Sequence, residues 1–122
     1  MPTVIVFGLT EKISEYEMES IWESLRDAVI KTEGVVIRTR NPLDLFFPCD
    51  RIKKGLGEKI SIFVEKLEIR ESYNSVSSEQ IRDRLAKMLV MRMKTHFPSA
   101  FVNCTIRLLA PEDGFWSSAE ME

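Results

Sequence analysis

The sequence is poor in the residue types that announce metal, redox or disulfide chemistry. Its 122 residues include two cysteines and one histidine, too few for a disulfide framework and without a zinc-spaced partner set. Cys49 and Cys104 therefore read as reduced thiols of a cytoplasmic protein, Cys104 within a strand. No cluster of ligands suggests a metal, and no glycine-rich loop follows a strand to cradle a phosphate, so no cofactor is expected. No apolar run is long enough to span a membrane. Glu11 and Glu15 interrupt any signal-peptide pattern at the N-terminus. No run of Lys and Arg stands out and the net charge is -2, which argues against a broad nucleic-acid footprint.

What is present suits one folded domain over 1–122. Hydrophobic residues make up 44% and charged residues 30%, enough apolar content for a core and too much for a disordered chain. "TVIVF" at Thr3–Phe7 reads as a strand buried on both faces. A helix is expected over Ser14–Thr32: Ser14 as N-cap and Glu17 three on make a capping box, and Ile13 and Met18 a hydrophobic staple. Met18, Ile21, Trp22, Leu25, Ala28 and Val29 fall on one face at helical spacing, with Trp22 in the core. Gly34 suits the stop.

"GVVIRTRN" then reads as the second strand, ended by Asn41-Pro42. The segment "PLDLFFPCDRIKKGLGE" is irregular, with a short strand or helical turn around Leu45–Phe47. "KISIFVEKLEI" is a long third strand. A second helix is expected over Ser77–Thr95, where Ser77 and Gln80 repeat the capping box, Val76 and Ile81 the staple, and Pro98 follows the end. In "FVNCTIRLL", Val102, Cys104, Ile106 and Leu108 face one way and Asn103, Thr105 and Arg107 the other. A tail with Phe115 and Trp116 closes the chain.

The order is thus βαβ, a loop, and βαβ, in pseudo-repeat halves of about 1–58 and 59–122. The fold class is α/β: a four-stranded mixed sheet with two helices on one face. The other face is apolar enough to imply a partner.

Three short stretches resemble the tautomerase superfamily: "MPTVIV" at the start, "IRTR" after the first helix and "MKTHF" closing the second. The nearest branches are 5-carboxymethyl-2-hydroxymuconate isomerase and macrophage migration inhibitory factor. The resemblance implies homotrimers, a proline exposed by methionine removal as the catalytic base, and a small acidic substrate. Pro2 matches that proline. Arg38 falls where the isomerase branch places a substrate-binding arginine, and Arg70 falls near a second one. "DGFW" is similar to the end of the migration-factor branch, where a tail aromatic lies near a subunit boundary. That branch's lysine after the first helix has no counterpart; Val35 is the nearest position.

The residues support this chemistry on their own terms, beside blander readings. Proline is at home at the first residue of a strand for structural reasons alone. Freed of Met1, it is also a secondary amine. An α-amino group titrates at about 7.7–8.0, and burial with nearby cations lowers that value, giving a neutral base at neutral pH. Arg38 and Arg40 lie two apart on the expected strand and share a face, able to clamp a carboxylate or face solvent as an edge. Arg70 and Arg107 read from the residues alone as surface groups. The expected function is a cofactor-independent tautomerase acting on an enol or unsaturated oxo acid. The alternative is a non-catalytic oligomeric binding protein on the same fold. An RNA-recognition module shares the βαββαβ order, but "KISIFVEKLEI" lacks the glycine-spaced aromatics that stack bases.

Overall fold

The computed structural model describes residues 2–9, 12–37, 43–48, 59–70 and 77–108. Six elements follow in the order β1 (Thr3–Phe7), α1 (Glu15–Lys31), β2 (Asp44–Phe46), β3 (Lys59–Leu67), α2 (Ser78–His96) and β4 (Phe101–Leu108). The sheet order is β2-β1-β3-β4. β1 runs parallel to β2, β3 parallel to β4, and the two central strands are antiparallel. Each half is therefore a β-α-β unit whose strands lie side by side, and the halves join through β1 and β3.

Strand alternation assigns the two faces. Val4 and Val6 on β1 and Ile60, Ile62 and Val64 on β3 are fully buried. They form one core with Ile21, Leu25, Ala28 and Val29 of α1 and Leu85, Leu89 and Met93 of α2, so both helices lie on this face. Val102, Cys104 and Ile106 pair with Ile60, Ile62 and Val64 and point the same way, as their alternation implied. The opposite face carries Ile5, Phe7, Phe46, Phe63 and Phe101. Phe46 is 54% and Phe101 66% exposed. Phe7 and Phe63 meet edge to face at 5.7 Å.

The helices begin where their caps stand. Ser14 Oγ accepts from the Glu17 amide at 3.2 Å. Ser77 Oγ accepts from Gln80 N–H while Gln80 Oε1 accepts from Ser77 N–H, completing the reciprocal box. Lys94 holds the far end of α2, its Nζ donating to the carbonyls of Pro98 and Ala100 at 2.6 and 2.8 Å. Arg92 ties the helices together by donating to Asp27 Oδ2 at 2.9 Å and to the Ser24 carbonyl. Among the described residues no helix is long and apolar enough to cross a membrane.

Three expectations need correction. β1 is not buried on both faces: Val4 and Val6 are fully buried, but Phe7 on the other face is 44% exposed. The strand beside β1 is Asp44–Phe46, not "GVVIRTRN". Val35 makes only an isolated bridge to Ile69, and the parallel partner of β1 comes from the segment expected to be irregular. Trp22 is 40% exposed rather than in the core. It lies at the margin of the α1 stripe, with the Arg26 guanidinium over its ring at 5.6 Å.

Candidate functional site

One end of the sheet gathers most of the described residues singled out in the sequence. Pro2 immediately precedes β1 and is buried. Its position continues the inward series of Val4 and Val6, and its carbonyl accepts the Asp44 amide at 3.0 Å. That bond ties the start of β2 to the start of β1, so the proline is anchored through its own backbone. The next residue, Thr3, lies between Asp44 of β2 and Glu65 of β3.

Because β3 runs against β1, its C-terminal end lies beside Pro2. The chain beyond β3 turns back on the segment leaving α1. Val36 N donates to Glu68 O at 3.0 Å and Arg70 N to Gly34 O at 2.8 Å. Gly34 takes φ of 94°, a conformation that costs glycine little. Around this pairing lies an open cavity of about 300 Å³ lined by Glu33, Gly34, Val35, Val36, Ile37 and Arg70. It is the size of a small molecule, and its lining mixes apolar side chains with polar surface, exposed Glu33 and Arg70 among the residues that contribute to it.

Arg70 and Pro2 thus belong to the same end of the sheet, through a strand register that their separation in sequence hides. Arg38 and Arg40 lie outside the described residues, as do Cys49, Phe115 and Trp116; Ile37, the residue before Arg38, lines the cavity. Arg107 is on β4 near the same end, its Nε 3.7 Å from Glu65 Oε1. Cys104 faces the core, and burial pushes its thiol up to about 12, which makes it a packing residue and not a nucleophile at neutral pH.

The geometry adds an irregularity of β3 that motif reading missed. Val64 pairs with Ile106 but Leu67 with Leu108, so β3 carries one extra residue in a bulge. Within it Lys66 has φ of 59°, the left-handed region. A signal was present in the sequence. The apolar alternation Ile60, Ile62, Val64 would continue at 66, but resumes at Leu67 and Ile69, a slip of one residue.

No protein-family model matches the chain, and no curated protein matches it significantly. Among solved structures it is similar to the crystal structure of 5-carboxymethyl-2-hydroxymuconate delta-isomerase. That similarity has a TM-score of 0.49 at 10% identity, over 99% of this chain and 91% of the other. It transfers no residue role to this chain.

Proposed function

We propose that this protein is a cofactor-independent tautomerase that moves a proton within an enol, dienol or unsaturated oxo acid. Pro2, freed of Met1, is the base. The observation that carries the reading is the location of Pro2: a proline heading a central strand, at the sheet end that also holds the Arg70-lined cavity. A neutral secondary amine there takes a proton from one position of the substrate and returns it to another carbon, leaving composition unchanged. Positive charge is needed where the enolate oxygen develops, and Arg70, with Arg38 and Arg40, would supply it and hold the substrate carboxylate. Arg38→Lys should restore little of what Arg38→Ala loses, because the bidentate fork is absent from lysine.

The open sheet face, with exposed Phe46 and Phe101, supports assembly of three copies, sheet inward. A monomeric mass by light scattering at micromolar concentration would contradict that assembly. The second reading, an oligomeric binding protein without turnover, is favoured by the burial of Pro2, since a base must be reached by its substrate.

The test is ketonisation of phenylenolpyruvate and of a dicarboxylic dienol, followed in the ultraviolet, on protein whose intact mass confirms loss of Met1. Rates above buffer that fall in Pro2→Ala support the tautomerase. No rate from fully processed protein gives the binding reading precedence. Equal activity with Met1 retained removes Pro2 as the base.

A further inference from the structure

The helix layer carries opposite charges on its two members. α1 holds five acidic and two basic side chains; α2 holds two acidic and five basic, His96 aside. Part of this polarity is used within one copy. Glu15 and Glu17 lie in the first turn of α1, at the positive end of its dipole, and Arg92 joins Asp27 across the seam between the helices. The rest is not used there. Glu19 and Glu23 on α1 and Arg84 on α2 are exposed and make no ion pair with a described residue.

The outer face of the layer also has apolar relief. Arg92 lies between two open grooves, one on α1 lined by Trp22, Arg26 and Ile30, the other on α2 lined by Arg84, Met88 and Met91. Ile30 is 41% and Met91 70% exposed, each on the side of its helix away from the buried stripe.

A second copy of the chain matches both halves of this surface at once. Each helix runs back against the parallel strands of its own unit, and β1 and β3 are antiparallel, so α1 and α2 are antiparallel too. A two-fold axis in the plane of contact, parallel to the helices, sets α1 of each copy on α2 of the other. Acidic then meets basic twice. An axis across the helices would set like on like. With a net charge of -2, two whole chains repel each other little. The 17 residues of α1 make a helix about 25 Å long, and two helices about 10 Å apart offer roughly 500 Å² per copy, the small end of specific interfaces. Such a contact is weak and reversible.

We propose that the outer face of the α1–α2 layer is a contact between two copies of this chain, closed by a two-fold axis and selected by charge. The inference stands apart from the tautomerase reading. Three copies assembled sheet inward keep their helix layers outward, so the two contacts do not compete.

The experiment is sedimentation of the full-length protein from about 10 μM to about 1 mM, at about 20 mM and about 500 mM salt. At low salt the mass should climb with concentration to at least twice that of the unit that persists at high salt, whether that unit is one copy or three. Two double variants reverse one helix each. Glu19→Lys with Glu23→Lys leaves both helices net positive; Arg84→Glu with Lys87→Glu leaves both net negative. Each alone should self-associate about tenfold more weakly than wild type, or worse. Mixed in equal amounts they should associate again, because each then meets the opposite charge on both helices. All four positions are exposed, so circular dichroism should show melting within about 5 °C of wild type. If either double variant fails to fold, the single reversals Glu23→Lys and Lys87→Glu are mixed and read the same way. A mass that ignores salt and concentration overturns the proposal. So do reversed proteins that associate like wild type, and folded ones that stay apart when mixed. A salt-resistant unit of one copy counts against the sheet-inward trimer alone, and the mixing result still decides the helix contact.

Discussion

Gly8 leaves β1 with φ of 101°, directly against the first residues of β3. A Cβ added there would collide with the Lys59 carbonyl oxygen and sit 3.3 Å from both Lys59 C and Ile60 Cα. These are backbone atoms of a central strand, and Ile60 is fully buried, so they cannot yield without dragging the core. Gly8→Ala therefore carries two costs. The left-handed backbone costs about 1–2 kcal/mol once a Cβ is present. Displacing packed backbone costs about 1–3 kcal/mol more. The sum, about 2–5 kcal/mol, is a large part of the 5–15 kcal/mol of an ordinary domain. For a chain of this length it corresponds to a fall in Tm of about 8–20 °C. Gly34→Ala is the control. Its φ of 94° costs the same, but the added Cβ meets Ile81 Cδ1 and Cγ1, side-chain atoms of a buried residue rather than the backbone of a central strand. Its loss should be the smaller by about 1 kcal/mol or more. Urea and thermal unfolding followed by circular dichroism give both numbers. A Gly8→Ala protein within 1 kcal/mol of wild type, or one more stable than Gly34→Ala, refutes the reasoning.

Two further predictions concern ionisation. The Arg92 hydrogen bond, outweighing the opposing effect of desolvation, holds the Asp27 carboxyl below its ordinary value, with Lys31 adding to it. A depressed carboxylate stabilises the fold above its ordinary range and loses that contribution as pH falls through it. Arg92→Met should thus be slightly less stable than wild type at pH 7, with the gap closing on acidification in urea titrations; a gap that widens contradicts the pair. The Cys104 thiol, raised to about 12 by burial, contributes stability in full below its unfolded value near 9. That contribution is lost as pH climbs from there towards 12. In a Cys49→Ser background, Cys104 should resist iodoacetamide at pH 8 and react once urea is added, read by intact mass. Equal rates in both conditions would refute its burial.

The features the sequence determined by itself are those whose causes are local. Ser14 and Ser77 stop the chain at helix starts because their hydroxyls reach amides three residues on. β1 is recognisable from contiguous β-formers, and the facing of β4 from its strict alternation. Pro2 could be singled out because its ring and nitrogen are properties of one residue. The remaining features depend on partners far along the chain. "GVVI" has stronger β propensity than "DLF", yet Asp44–Phe46 pairs with β1 while Val35 bridges to Ile69, because a strand is made by its neighbour's free edge and not by its own composition. Trp22 fitted the helical period but is 40% exposed, because how much of a helical stripe is covered depends on the elements packed against it and not on the period. The site divides in the same way. Pro2 and Arg70 could be picked out one at a time, but only the antiparallel register of β1 and β3 brings them to one end, because register is fixed by the core that both strands share.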